Sequence, residues 1–548
     1  MSGTAAVVNQ VPRIRSLFEA FDRLADPLVS DFTASVPETF DEVVDRITSQ
    51  RKVINDFRLR NRMMMKSIVE QFHNEADNLT SHVHDSIQLL DDPTTKVVVS
   101  THQPNLFAYG GVFKKIVLLE NLRNASLKLD RGKVVNLFVI VDHDFLDESW
   151  IRVAQLPSMN HSSGIMELRI PVADSKRWQL VCNTPLPSKN IVNYWKHQIK
   201  SWIRQSTKSD RFKRNEANAN LEEFWQDIVE TSYARARSYS DLNSFIISRI
   251  VNRTWGYGTI FVRLSQLSPV FENGFTFLIS NYNLYSQALR GIETRLMSRG
   301  IDTGISSSSY ENAPIWIHCK CGSKASVKVA SHEHSLCLAG SCRSCKKYLE
   351  LNLGNRDDLD LSKVVTQLSP RAIPIPLLLS RDLGISCYGT GTGGLGYLVD
   401  GSFVAKKLAL PFPLVTVWSS RDKYLGIGQS PALHDQNSRL GDLNERLDLL
   451  QKSSENRRKK IVPLLCNRDE CFKLGRSAKK ILFDIFALKE EQRKIRQQIA
   501  SLTKARNIAE LSPCLIDYAV NFGAKRTEEV WTDHLVRNGR LAYPVIFR

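Results

Sequence analysis

The sequence predicts an α/β fold built on a parallel sheet, and three features carry that prediction. Two short runs, Lys96-Val97-Val98-Val99-Ser100 and Val134-Val135-Asn136-Leu137-Phe138-Val139-Ile140-Val141, have the length and β-branched content of strands buried on both faces. Between them, from about Val112 to Leu127, Ile116, Leu119 and Leu122 are spaced for one face of a crossover helix. Each run ends in a polar loop: Thr101-His102-Gln103-Pro104-Asn105 after the first, Asp142-His143-Asp144-Phe145 after the second. A right-handed strand–helix–strand unit puts both loops at the carboxyl ends of parallel strands, where open α/β sheets bind ligands.

The elements follow in order. Phe40 to Leu90 is rich in charge and helix formers and stops at Asp91-Asp92-Pro93, so residues 1–95 read as an N-terminal helical region. Residues 96–304 read as the first part of the core with a helical insertion. Strands are expected there at Met166 to Val172 and Trp178 to Cys182, and helix from Val192 to Val251 with Trp195, Trp202, Phe224 and Trp225 as core anchors. A further strand is expected at Phe275-Thr276-Phe277-Leu278-Ile279, with Asn281 and Tyr282 on the loop after it and a helix through Arg299. Residues 305–355 form a cysteine-rich insert. Residues 356–435 return to the core, with strands at Leu383 to Tyr388 and Leu414 to Trp418 around a glycine-rich turn. Residues 436–510 read as a helical hairpin: Leu440, Leu443, Leu447 and Leu450, and Ile481, Ile485, Leu488, Gln492, Ile495, Ile499 and Leu502, keep a seven-residue repeat. An antiparallel coiled coil, within the chain or across a homodimer, is the expectation; ordinary amphipathic helices are the alternative. Residues 511–548 return to the core, and Leu541 to Phe547 can add an edge strand.

Composition narrows the function classes. No apolar run reaches the roughly 18 residues a membrane span needs, and the first residues lack a basic segment followed by an apolar core. A cytoplasmic protein without a membrane partner is expected. The formal charge of +17 favours anionic partners, whether phosphates, carboxylates or nucleic acid. The basic residues are scattered in small clusters, so nucleic acid is the less favoured of these.

Of ten cysteines, five fall between Cys319 and Cys345. Cys319-Lys320-Cys321 and Cys342-Arg343-Ser344-Cys345 form two paired-thiol knuckles, and four thiolates satisfy tetrahedral Zn²⁺ with no open position. The expectation is structural zinc on Cys319, Cys321, Cys342 and Cys345 in a small zinc-ribbon-like insert. The first knuckle is C-x-C rather than C-x₂-C, so His318, His332, His334 and Cys337 are substitute ligands, and free thiols are the alternative. In the stretch Tyr388 to Tyr397, a turn containing Gly389, Gly391, Gly393 and Gly394 follows a strand and precedes a helix, a context in which backbone N–H groups hold a phosphate or carboxylate. The alternative is a tight turn that needs positive φ. In the two polar loops, His102 can face an anion and the carboxylates of Asp142 and Asp144 an amine, with His143 as general base. The plain alternatives are a core histidine at His102, a helix cap at Asn105 and an N-cap at Asp144; a metal held by His102, Asp142, His143 and Asp144 is a third reading.

These pieces together resemble the bacillithiol-biosynthesis cysteine-adding enzymes, a family of putative cysteine ligases (BshC). The resemblance runs from Leu89 through Val99 into His102-Gln103-Pro104-Asn105-Leu106-Phe107 and on to Lys114 or Lys115. Asp142-His143-Asp144-Phe145 matches the family's D-H-D-F, its most specific piece. Gly274 to Asn283, Arg371 to Ile385, the glycine turn, Pro411 to Arg421 and the hairpin follow in family order. Where the family has G-P-G-E, this chain has Gly391-Thr392-Gly393-Gly394, and the cysteine cluster is an addition. His102-Gln103-Pro104 is also similar to the WbqC-like family, whose members lack the D-H-D-F and the hairpin.

The resemblance implies a Rossmann-like core with inserted connecting domains, like that of class I aminoacyl-tRNA synthetases, and a dimerising coiled coil. It also implies an amide-forming ligase that joins cysteine to the amine of glucosaminyl-malate. Amide formation in water needs an activated carboxyl group, an adenylate or acyl phosphate, so ATP is the expected cofactor. The site expected is His102, Asp142, His143 and Asp144 for catalysis. Gln103, Asn105, Asn281, Tyr282, Gly389, Gly391, Gly393, Gly394, Tyr397 and Arg421 would bind an amino acid, a small anionic amine and nucleotide. An RNA-binding or tRNA-modifying protein on a synthetase-like core is the alternative.

Overall fold

The computed structural model describes Phe32 and residues 35–548, apart from 51–52, 209, 302–304, 307, 333–334, 356–357, 420–421, 424, 430–439, 544 and 548. Five parallel strands form the central sheet: β1 (Lys96–His102), β2 (Val134–Ile140), β3 (Ile260–Arg263), β4 (Cys387–Thr390) and β5 (Leu414–Val417). Their spatial order is β5-β4-β1-β2-β3, the doubly wound order of Rossmann-type sheets. The order reverses between β1 and β4, where Val99 lies beside Tyr388 and Ser100 beside Gly389.

Period two in the strands divides the core. Val98, Phe138, Phe261 and Cys387 face one layer; Val97, Val99, Leu137, Val139, Ile260 and Val262 face the other. The first layer holds the crossover helix α1 (Gly110–Lys128), α2 (Tyr239–Arg249) and the C-terminal helices Leu515–Phe522 and Ala524–Arg537. The second holds Asp56–Glu75, Glu272–Ser280, Tyr282–Ser298, Pro374–Asp382 and α3 (Leu395–Lys407). Crossovers up to β3 therefore run over one face and those after it over the other. The start of α1 is fixed by close approach: a Cβ on Gly110 would lie 2.6 Å from the Tyr518 ring. Below the sheet, Arg62 is fully buried and donates to the carbonyls of Thr95, Leu383 and Gly384, which ties the N-terminal helices to the chain entering β1 and β4.

Several expectations need correction. Phe275 to Ile279 is not a strand but lies within the helix Glu272–Ser280. Gly274, Phe275, Leu278 and Ile279 are its buried side, a helical spacing that a five-residue apolar run conceals. The third strand is instead the shorter Ile260–Arg263. Trp178 to Cys182 makes only a single bridge, Leu180 to Phe145, before a 3₁₀ turn. The C-terminal pair Val545–Ile546 joins Asp422–Lys423 in a separate two-stranded sheet rather than the edge of the main one. The expected tryptophan and phenylalanine anchors are all buried.

The cysteine-rich segment forms two small antiparallel sheets, and the one that begins at Ile315–His318 closes only with Leu368–Pro370. Its Ile315, Ile317, Ala325, Leu338 and Leu368 share one apolar cluster with the main sheet. The helices Leu440–Lys473 and Lys479–Glu510 pack as a hairpin around Leu443, Leu447, Leu502 and Ala505.

Candidate functional site

The two polar loops meet. Gln103 Nε2 donates to Asp144 Oδ2 at 3.0 Å, which joins the ends of β1 and β2 directly. Asp144 is partly open to solvent and its other oxygen lies 3.6 Å from the Lys324 ammonium, which also donates to the His143 carbonyl at 2.6 Å. Burial first, then the nearby carboxylates of Asp144 and Glu148, raises the hydroxyl of the α3 residue Tyr397, so the helix after the glycine turn lies beside the same loop. Burial, then Asp144 and Asp147, raises the Glu148 carboxyl to about 6.

Of the other loop residues, His102 is half-buried and Asp142, His143 and Asn105 are enclosed. His102 Nδ1 meets the Gln103 carbonyl and Nε2 meets the Tyr109 hydroxyl, each at 3.0 Å. With an N–H on Nδ1 both contacts are satisfied, and burial, aided by Lys115, holds the ring down to about 3, so it is neutral. Asp142 is fully buried and accepts both the Ser265 amide and hydroxyl, at 2.9 and 2.6 Å; burial raises its carboxyl. His143 is 2% exposed, and its Nε2–H donates to the Pro370 carbonyl while Nδ1 is buried without a partner. Burial keeps it neutral. His143 thus fixes the loop, Asp142 fixes it and also lines the cavity between the ends of β2 and β3, and Asn105 is buried. The expected general base is buried because its ring is turned onto Pro370, on the strand Leu368–Pro370 that pairs with Ile315–His318.

The glycine turn sits at the switch point between β1 and β4. None of Gly389, Gly391, Gly393 and Gly394 has positive φ, so the tight-turn explanation does not apply. Gly389 is needed for packing, since a Cβ would meet Leu119 at 3.2 Å, and Gly394 for closeness to Thr390 Oγ1. Around Gly391 and Gly393 there is open space, which leaves bare backbone at the start of α3. Asn281 and Tyr282 are not on a strand-end loop; they join two helices, where Asn281 donates to Phe277 O and Tyr282 to Glu311 O. Arg421 lies outside the described residues.

Three charged residues escaped the sequence reading. Lys115 is buried in α1 beneath the end of β1 and donates to the Thr101 carbonyl at 2.7 Å. No carboxylate compensates it among the described residues, and burial pulls its ammonium down to about 7. Beside it the Thr101 and Tyr388 hydroxyls pair across the switch point at 2.6 Å. The other two are Glu148 and Lys324. Only the second Lys of Phe113-Lys114-Lys115 is the unpaired one: Lys114 is paired with Asp422 at 2.7 Å. Between the ends of β2 and β3 a cavity of about 810 Å³ is lined by Arg237, Ser240, Asp241, Arg263 and Ser265.

The four expected metal ligands do converge. The sulfurs of Cys319, Cys321, Cys342 and Cys345 all lie within 4.8 Å of one another, with Cys319–Cys345 at 3.6 Å and Cys321–Cys342 at 3.5 Å. Thiolates about 2.3 Å from a tetrahedral Zn²⁺ would be about 3.8 Å apart, so the set can hold a metal ion such as zinc with little movement. His318 is engaged with Ser369 and Cys337 is outside the group. His334 lies outside the described residues, as does the side chain of His332. Among the described residues, no helix is long and apolar enough to cross a membrane. In comparison with known proteins, no family model matches the chain and no curated sequence matches it.

Proposed function

We propose that the chain is a carbon–nitrogen ligase that joins an amino acid, cysteine by the resemblance, to the amine of a small anionic acceptor at the switch point. The observation that carries the reading is the convergence of the β1 and β2 loops through the Gln103–Asp144 bond, at the strand ends where doubly wound sheets bind ligands. The uncompensated Lys115 ammonium and the bare backbone of Gly391 and Gly393 supply cationic character for a phosphate or carboxylate. Asp144 and Glu148 hold the acceptor's ammonium group, which must give up a proton to become the attacking amine. Glu148, with a carboxyl near 6, takes the proton as the amine nitrogen bonds to the acyl carbon. ATP, when bound, supplies the leaving group that a free carboxylate lacks in water. The cavity lined by Arg237, Asp241, Arg263 and Ser265 offers both signs of charge to the second substrate. Zn²⁺ on the four cysteines is structural, and the hairpin is an antiparallel coiled coil through which two cytoplasmic chains dimerise.

The test is amino-acid-dependent ATP consumption by the purified chain across an amino-acid panel, with Glu148→Gln and Asp144→Asn alongside. Consumption that both variants lose supports the reading. Absence of any nucleotide or amino-acid binding ends it. A second reading, RNA binding, is favoured by the exposed Arg458, Lys459, Lys460, Lys479 and Lys480 on the hairpin. It predicts RNA affinity that falls steeply with salt, and salt-insensitive or absent binding removes it.

A further inference from the structure

The cysteine-rich segment does more than cap the core, because it reaches the Asp142–Glu148 loop in two ways, through the Gln179–Asn183 segment and through the Lys324 side chain. Gly322, between the two knuckles' sulfurs, accepts hydrogen bonds from the Leu180 amide at 2.9 Å and from Asn183 Nδ2 at 3.2 Å. The segment so held bonds in turn to the loop: Val181 N–H to Asp144 O at 2.9 Å, Cys182 N–H to Asp142 O at 2.8 Å, and Leu146 N–H to Gln179 O at 2.9 Å. The residues next to the sulfurs reach the loop with side chains. Lys324, on the strand Lys324–Ser326 three positions after Cys321, puts its ammonium on His143 O and beside Asp144. The same ammonium lies 4.8 Å over the Phe145 ring and 4.6 Å over Trp316. Arg343, directly after Cys342, stacks 3.6 Å over Trp178, whose ring meets Phe145 edge-on. The Arg343 amide donates to Lys324 O, and Ala325 bridges to Cys342. Both cations thus hang on backbone whose geometry the four sulfurs set.

We infer that the four-cysteine centre is a metal-dependent clamp on the candidate site: a thiophilic divalent ion such as zinc fixes the two knuckles, and through them Lys324 and Arg343 hold the Asp142–Glu148 loop in its ligand-facing arrangement. Lys324 and Arg343 are positioning residues. The clamp rests on the proposed site only for the functional meaning of the loop; its physical content is independent of any substrate. Four unbridged thiols lack the roughly tetrahedral restraint that a bound ion provides. In the metal-free chain the contacts at Gly322, Lys324 and Arg343 lose their common anchor.

The experiment is hydrogen exchange on the full chain as purified, after removal of metal with a chelator, and after return of Zn²⁺. The amides of Leu146, Leu180, Val181 and Cys182 should exchange on the order of tenfold faster without metal and recover on its return. Strands β1 and β2 and the hairpin 440–510 should stay unchanged. Equal exchange of those four amides with and without metal overturns the clamp, and so does a chain that takes up no metal. Should stripping unfold the whole molecule, the metal-loaded variants decide: Lys324→Met and Arg343→Ala should retain the metal and still loosen the loop. Unchanged exchange in both variants overturns the proposal. No substrate enters these measurements, so they stand or fall apart from the ligase assay.

Discussion

Replacing Lys115 by methionine is predicted to stabilise the ligand-free chain while removing its affinity for anions. The residue is 5% exposed, its ammonium bonds among the described residues to the Thr101 carbonyl alone, and burial lowers it from 10.5 to about 7. Between those values the unfolded chain keeps the proton and the native chain releases it, so native stability rises with pH across that window. A gap of roughly three and a half on the pH scale, at about 1.4 kcal/mol per pH unit, costs the native state about 4 kcal/mol near neutrality. About 2 kcal/mol of this returns between roughly pH 7 and pH 9. Methionine keeps the length of the side chain without the charge, so urea unfolding of the Lys115→Met chain should show higher stability and lack that rise. Added phosphate should stabilise the parent chain and not the variant. A variant less stable than the parent at both pH values, with the same pH slope, would refute the reasoning by showing that the ammonium is compensated in the native state.

The remaining predictions are simpler. Ser265→Ala removes a 2.6 Å hydrogen bond from the buried Asp142 carboxylate and should cost about 1–3 kcal/mol in denaturant unfolding. Lys114→Met strips the cationic partner from the buried Asp422, which keeps Tyr518 and Trp531 as donors; the expected loss is about 3–5 kcal/mol, and adding Asp422→Asn should recover part of it. If Glu148 is the base, ligase activity should rise with pH through about 6, as its carboxyl ionises. In Glu148→Gln that rise should be absent and activity low at every pH.

The parts of the fold that could be read from the sequence were those written in local periodicity. The runs at β1 and β2 alternate between two buried layers, and Ile116, Leu119 and Leu122 recur at helical spacing between them in a helix buried on nearly all sides, so strand, helix, strand and both loops were visible. The hairpin was visible for the same reason. The third strand was not, because Ile260–Arg263 is four residues long, whereas Phe275 to Ile279 has the composition of a strand and the surroundings of a helix. The four cysteines showed themselves by type and spacing. Lys115, Glu148 and Lys324 did not, since a charged residue announces its function only when its burial and neighbours are known. In sequence, Lys115 is one of two adjacent lysines, and nothing separates the one paired with Asp422 from the one left unpaired. His143 shows the opposite case: a residue with a catalytic appearance whose ring is turned inward onto Pro370.

The placement of β4 has a consequence for how the molecule is made. Val99 must find Tyr388, nearly three hundred positions further along the chain, before the cleft beside the glycine turn exists at all. The first helix of the core then waits longer still, because Tyr109 bridges to Cys514 and the Gly110 amide bonds to Pro513 O. On a ribosome the N-terminal half therefore emerges with an unpaired sheet margin and an uncovered helix, and it stays so until the last segments arrive. The cover of α1 thus comes from the far third of the chain's length, while shortening the chain at its very end would first be felt where Val545–Ile546 pair with Asp422–Lys423.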